Sequence, residues 1–167
     1  SAFEVTSAGE TQIVRVDLST AKLATLASEG RSWVLSIGDV LLDATEPPEM
    51  KRSRDQDGHF EMTALLGKPY KVHSFRDPNV GDVLDIVTAY PPARGTVRDL
   101  SYVDFDALRP VHGLVVLPDN DELKVSIVDD HALISSPDGL FLSDQNGPRA
   151  LDAGRASEVR DSFVDFA

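Results

Sequence analysis

Residues 113–127 read GLVVLPDNDELKVSI, and this stretch decides the fold class. Residues 114–117 are all apolar, which is typical of a strand that is buried on both faces. Residues 123–127 alternate apolar and polar side chains, which is typical of a strand with one buried face. The Pro, Asp and Asn residues of 118–121 favour a turn between them. The stretch therefore predicts two successive strands.

The same strand pattern recurs outward along the chain. Alternating or β-branched segments of strand length are found at 12–18, 32–37, 59–65 and 84–90. Turn sequences such as 55–58 and 136–139 lie between such segments. Because few helices are available to cover the apolar strand faces, a second sheet must cover them. We therefore expect an all-β fold, an antiparallel β-sandwich, with a short C-terminal helix.

Two segments carry helical features. Residues 19–27 fit a short helix, and they fit equally well a strand paired through a turn at 28–30. Residues 156–166 place Val159, Phe163 and Phe166 at helical spacing. We expect a sandwich domain over 1–145, followed by a linker and the start of a helical region over 146–167. The chain begins at Ser1, so we also expect it to be cut from a longer protein.

A short internal similarity links two parts of the predicted sandwich. Gly38-Asp39-Val40-Leu41 is followed by a proline pair, and Gly81-Asp82-Val83-Leu84 is followed by another. The stretches concerned are 37–48 and 80–92. They indicate a duplicated β unit, with chance similarity of a turn and a proline pair as the alternative.

Composition excludes several classes of function. The 167 residues include 16 Lys and Arg against 28 Asp and Glu, a net charge of −12. This balance argues against nucleic acid as a partner, since phosphate binding needs clustered cations. No apolar run is long enough for a membrane span, so we expect no membrane insertion. The absence of Cys excludes disulfides, Cys-ligated zinc and Cys nucleophiles.

The residue patterns of common active sites and metal sites are missing. Asp129, Asp130 and His131 lie too close together along one segment to converge as a triad, which favours a solvated turn. His59 and His73 would be cross-strand neighbours if 58–75 formed a hairpin, but a third ligand would still be lacking. We predict no metal and no cofactor. A carboxylate pair for hydrolysis stays open, because 28 acidic residues cannot identify one.

Five residues are candidates for binding. Lys51, Arg52 and Arg54 form a basic run that could contact an anionic partner, or could neutralise nearby acids instead. Tyr90 precedes a proline pair at a strand end, where an exposed ring can stack on a sugar or anchor a protein. Arg94, which follows that proline pair, is the fifth candidate; we expect the five residues to form the rim of a binding surface. Trp33 is in phase with Leu35 and Ile37, and we expect it in the core.

The N-terminal strands resemble a known type of module. RVDLS at 15–19 and WVLSI at 33–37 are similar to the strand motifs of amidase N-terminal (AMIN) modules, over residues 3–39. Together with 76–82, 88–92 and 112–114, the chain resembles the N-terminal β region of alphaproteobacterial envelope proteins that carry tetratricopeptide-like repeats. The resemblance implies a periplasmic, non-catalytic module near the cell wall. No binding residue carries over from it.

These observations predict a binding function. We expect a non-catalytic extracytoplasmic module that binds peptidoglycan or an envelope protein, with Lys51, Arg52, Arg54, Tyr90 and Arg94 as its contacts. One alternative is a hydrolase that uses a carboxylate pair. The other is a spacer that positions a helical repeat region.

Overall fold

The chain is all-β in the residues that the structure describes. A computed structural model describes residues 2–9, 11–40, 45–77, 80–142 and 149–150, and within these ranges there are strands but no helix. The strands are β1 (Ala2–Ala8), β2 (Thr11–Asp17), β3 (Leu23–Glu29), β4 (Ser32–Gly38), β5 (Glu49–Arg54), β6 (Phe60–Leu65), β7 (Pro69–Arg76), β8 (Val83–Ala89), β9 (Leu100–Ser101), β10 (Phe105–Leu108), β11 (Leu114–Pro118), β12 (Lys124–Val128), β13 (His131–Ser135) and β14 (Arg149–Ala150).

Two larger sheets form the body of the domain. One has the order β14-β9-β10-β11-β8-β7 and the other has the order β12-β13-β6-β5. The remaining strands form two separate hairpins, β1–β2 and β3–β4. All described strand pairs are antiparallel. The structure thereby confirms the predicted all-β fold of antiparallel sheets.

The core lies between the two larger sheets. The four-stranded sheet contributes alternate residues, Met62 and Ala64 from β6 and Ala132 and Ile134 from β13. The six-stranded sheet contributes the side chains that face them, from β8, β10 and β11: Val87, Phe105, Ala107, Leu114 and Val116. Because side chains alternate across each sheet, one face of each sheet supplies this core.

Strand β11 explains the continuous apolar run. It is hydrogen-bonded to β8 on one side and to β10 on the other. Leu114 and Val116 are fully buried in the core, and Val115 and Leu117 are partly covered on the opposite face. A central strand of this kind needs apolar side chains on both faces, as the sequence predicted.

One of the two alternatives for residues 19–27 is wrong. There is no helix there; Leu23–Glu29 is β3 and pairs along its whole length with β4. Gly30 has a φ of +61°, which a glycine adopts without strain and which lets the chain reverse between the strands. The other alternative, a strand paired through a turn at 28–30, is confirmed. An isolated helix of this length is only marginally stable in water, whereas pairing with β4 gives β3 backbone partners along its whole length.

The predicted C-terminal helix at 156–166 lies outside the described residues. Just before it, Arg149 and Ala150 pair with β9 as the edge strand β14. The chain therefore returns to the six-stranded sheet within the segment that the sequence assigned to a linker. In the part of the chain that the structure describes, no helix is long and apolar enough to cross a membrane.

The two similar stretches occupy different places in the fold. Gly38 is the last residue of β4, whereas Gly81 precedes β8. The first proline pair precedes β5, and Pro91-Pro92, which has a cis peptide bond, follows β8. The matching residues therefore do not occupy equivalent positions in two repeated structural units.

Candidate binding surfaces

The basic run lies on β5, an edge strand of the four-stranded sheet. Lys51 Nζ is 3.0 Å from a carboxylate oxygen of Glu49. Arg54 lies with its guanidinium 3.8 Å from the Phe60 ring centroid and donates a hydrogen bond to the Gly58 carbonyl. Both cations are therefore engaged within their own sheet.

Arg52 lies on the inward side of β5. It is opposite the buried Met62 in the strand register, and its charge acts on the Tyr102 hydroxyl. It thus lies at the open edge between the two sheets, where a long cationic side chain can cover the core while its head reaches solvent.

Tyr90 and Arg94 lie on the loop that follows β8. Tyr90 is exposed and packs edge-to-face against the exposed Tyr70, with ring centroids 5.2 Å apart. Arg94 Nη2 is 3.6 Å from a Glu46 carboxylate oxygen. The two exposed tyrosine rings can stack on a partner, whereas Arg94 is already paired with an acid. Nothing in these contacts joins the five predicted binding residues into one site, and their binding role stays a prediction.

His112 holds this loop in place. Its Nδ1 accepts a hydrogen bond from the Arg94 backbone N–H at 3.0 Å. Its Nε2 lies 2.9 Å from the Ala89 carbonyl oxygen, so Nε2 carries the proton and donates it there. The imidazole therefore ties both ends of the cis-proline loop to the segment before β11.

Trp33 is not in the core, which corrects the sequence prediction. It is in phase with Leu35 and Ile37, as expected, but all three side chains are exposed, Trp33 at 42% and Leu35 at 52%. Its indole packs on the His112 ring with centroids 4.8 Å apart. Periodicity identified the apolar face correctly, but among the described residues no sheet packs on that face, which meets the body at the His112 ring.

The β1–β2 hairpin has a similar uncovered face. Strand pairing puts Phe3 opposite Val16 and Val5 opposite Val14, so these four side chains share one face. All are exposed, Phe3 at 76% and Val14 at 60%. We call this group the outer face of β1–β2. Ser7 and Gln12 complete it, so it carries no charged side chain.

The opposite side of the same hairpin lies toward the body. Thr11, Ile13 and Arg15 alternate with the outer residues of β2 and are partly buried. Arg15 Nη2 lies 3.9 Å from Asp77 Oδ1, just after β7. β2 therefore has one side on the six-stranded sheet and one side in solvent.

A cleft opens between β2 and the β7–β8 pair, and we call it the β2 cleft. Its volume is about 470 Å³, and its lining runs from Ile13 on the hairpin to Lys71, His73, Phe75 and Ile86 on the sheet. None of the residues that line it is Asp or Glu. The β2 cleft therefore lacks the carboxylate pair that the hydrolase alternative needs.

The acidic and histidine motifs of the sequence lie at separate places in this fold. His59 Nδ1 lies 3.4 Å from Asp55 in the β5–β6 turn, whereas His73 lies on β7 in the other sheet, so residues 58–75 do not form the hairpin that would make the two histidines neighbours. Asp130 and His131 pair at the β12–β13 turn. Within the described ranges, no group of three or more Asp, Glu or His could hold a metal ion.

Sequence reasoning missed the exposed residues of β1–β2. Val14 and Val16 alternate with polar residues, which identifies one apolar face but does not show whether anything packs on it. Comparison with known proteins adds no further assignment: no family model, curated protein or solved structure matches this chain.

Proposed function

We propose that this domain is a non-catalytic binding module of the cell envelope, and that it binds a protein partner on the outer face of β1–β2. The observation that carries the proposal is this uncharged, exposed apolar face in a chain of net charge −12. Contiguous apolar patches of this kind on an otherwise charged surface mark protein interaction sites.

Burial of the outer face of β1–β2 by a partner would lower the free energy of the domain. A two-stranded hairpin alone is only marginally stable in water, and an apolar face gains free energy when a partner covers it. Full burial of a Val or Phe side chain contributes roughly 1.5–3 kcal/mol. With Phe3, Val5 and Val14 more than half exposed, much of that free energy remains to be gained on binding.

The resemblance to AMIN modules supports an envelope location. One of the two strands that carry it, β2, also contributes to the outer face of β1–β2. A module that attaches an envelope protein to a partner needs such a face and needs no catalytic group. The β2 cleft offers no carboxylate pair, so it is not the site that the hydrolase alternative requires.

Photocrosslinking in the full-length protein tests the proposal. A benzoylphenylalanine at Val5 should give a discrete adduct with a second protein in the cells that make this chain. The same group at Val128, which is equally exposed on β12, should give none. Adducts of equal yield from both positions, or no adduct from Val5, would overturn the proposal.

Co-sedimentation with isolated cell-wall sacculi tests the competing proposal that the domain binds the wall itself. The tyrosine pair and the β5 cations would bind a wall polymer, and binding would be lost in high salt. We expect the protein to remain in the supernatant when it is centrifuged with sacculi. Salt-sensitive pelleting that Lys51→Ala and Arg54→Ala abolish, and that Val14→Glu leaves intact, would assign the domain to the wall instead.

A further inference from the structure

We propose that the β2 cleft binds a small anionic amphiphile, a molecule with one acidic headgroup and an apolar body. The proposal concerns the inner side of β2, so it is independent of the protein partner proposed for the outer face. The cleft volume of about 470 Å³ lies within the range of small-molecule sites.

The apolar part of the cleft comes from both of its walls. Ile13 projects from the hairpin, and Phe75 and Ile86 project from β7 and β8. His73 is opposite Ile86 in the strand register, two residues from Phe75, so the apolar side chains and the imidazole share one face of the sheet. A hydrocarbon or aromatic body lying there would displace water from these three side chains.

The polar part of the cleft favours an anion. Lys71 and His73 are its only ionisable side chains, and no described carboxylate forms an ion pair with either. Thr88 already donates its hydroxyl proton to the Lys71 carbonyl, and Lys71 and His73, with the uncharged Thr11 and Gln12 beside them, can donate to a ligand. In a chain of net charge −12, a cationic site without acids is unusual and fits an acidic headgroup.

Two matched pairs of variants isolate this site. Lys71→Met removes the cation of the cleft, and Lys124→Met removes an exposed lysine on β12 in the other sheet. Ile13→Ser removes the apolar wall of the cleft, and Val14→Ser changes the neighbouring residue on the opposite side of β2. The lysine control makes the same substitution at a different place, and Val14→Ser makes a similar β-branched-to-Ser change on the opposite side of the strand.

The probes are decanoate, decyltrimethylammonium with the same chain and opposite charge, and the fluorescent anion anilinonaphthalene sulfonate. We expect saturable binding of the fluorophore at one site, displaced by decanoate and not by decyltrimethylammonium. Lys71→Met and Ile13→Ser should each weaken decanoate at least about tenfold, and the two controls should leave it unchanged. Lys71 is exposed, so Lys71→Met tests the site even if Ile13→Ser loosens the hairpin.

Three results would overturn the proposal: equal binding of the cation, unchanged decanoate affinity in Lys71→Met, or an equal loss in Val14→Ser, which would place the probe on the outer face. Flotation with phosphatidylglycerol vesicles separates the two sources of such a ligand. Vesicle binding that Lys71→Met abolishes identifies a lipid headgroup, and decanoate binding without vesicle binding identifies a free acid.

Discussion

At the scale of single residues, Tyr102 packs its ring well but leaves its hydroxyl group without a hydrogen-bond partner among the described residues. Its ring stacks on Phe105 with centroids 4.6 Å apart, which places it at the edge of the core. Its hydroxyl oxygen is buried and has no hydrogen-bond partner among the described residues. Burial raises the pKa of Tyr102, and the Arg52 guanidinium opposes that rise only in part.

Removing that hydroxyl should stabilise the domain. A buried polar group without a partner costs about 1–3 kcal/mol, so Tyr102→Phe should raise the free energy of unfolding by about 1 kcal/mol. Urea denaturation measures it, with Tyr70→Phe at an exposed ring as the control that should change little. A clear loss of stability in Tyr102→Phe would show that the hydroxyl does have a partner.

Asp55 gives the β5–β6 turn a dependence on pH. Desolvation acts to raise the pKa of its carboxyl, but hydrogen bonds from the backbone N–H groups of His59 and Asp57, with the nearby His59 charge, outweigh it and lower the pKa. Because the folded state binds this proton less tightly than the unfolded state, the ionised turn stabilises the fold above the unfolded pKa of about 3.9. That stabilisation is lost as pH falls through the lower folded value.

The stability difference between the natural protein and Asp55→Ala should therefore be present at neutral pH and should vanish in acid. Urea unfolding at a series of pH values measures this difference. Asp57→Ala, in the same turn, removes a carboxylate that accepts none of these bonds and is the matched control. A difference that stays constant down to acid pH would contradict the role given to the Asp55 carboxylate.

At the scale of elements, the β3–β4 hairpin contacts the body through the Trp33 ring. Trp33 is the single tryptophan of the chain, and it packs on His112. Its fluorescence therefore reports whether the hairpin rests on the body. The same imidazole accepts the Arg94 N–H, so one side chain supports both the hairpin and the loop after β8.

Removal of the imidazole should disturb both contacts. In His112→Ala, the Trp33 emission should shift to the red, and the free energy of unfolding should fall by about 1–3 kcal/mol because the Arg94 N–H loses its acceptor. His131→Ala, at the β12–β13 turn, should leave the emission unchanged. An unchanged spectrum in His112→Ala would mean that the hairpin is not held at this ring.

The strands could be predicted from the sequence because a period of two is a local property. Strands β2, β4, β6, β8, β11 and β12 all begin and end within about two residues of the segments that the alternation indicated. The helix at 19–27 failed because Ala and Leu suit either state, and pairing with β4 decided between them. Propensity is a weak guide where a partner strand is available.

The candidate sites were harder to predict, since exposure is a property of the whole chain. The same alternation that buries Met62 and Ala64 leaves Val14 and Leu35 in solvent. No local pattern distinguishes the two cases, because the difference lies in whether another layer packs on the face. The β2 cleft likewise joins Ile13 to Lys71, which are far apart in sequence.

At the scale of the whole molecule, the two larger sheets and the N-terminal hairpins differ in whether their apolar faces are buried. The two larger sheets bury their apolar faces against each other and account for the fold. The β1–β2 hairpin exposes its outer face, which is the face proposed to bind a partner. Neighbouring residues of β2 separate the two roles, since Ile13 faces the cleft and Val14 faces solvent.

The most direct test compares these two neighbours. A photocrosslinker is placed at Val14 or at Ile13 of the full-length protein in the cells that make it, and adducts with other proteins are resolved by mass. A discrete adduct from Val14 and none from Ile13 is the predicted result. Equal adducts from both positions, or an adduct from Ile13 alone, would contradict the claim that the outer face of β1–β2 binds a protein partner.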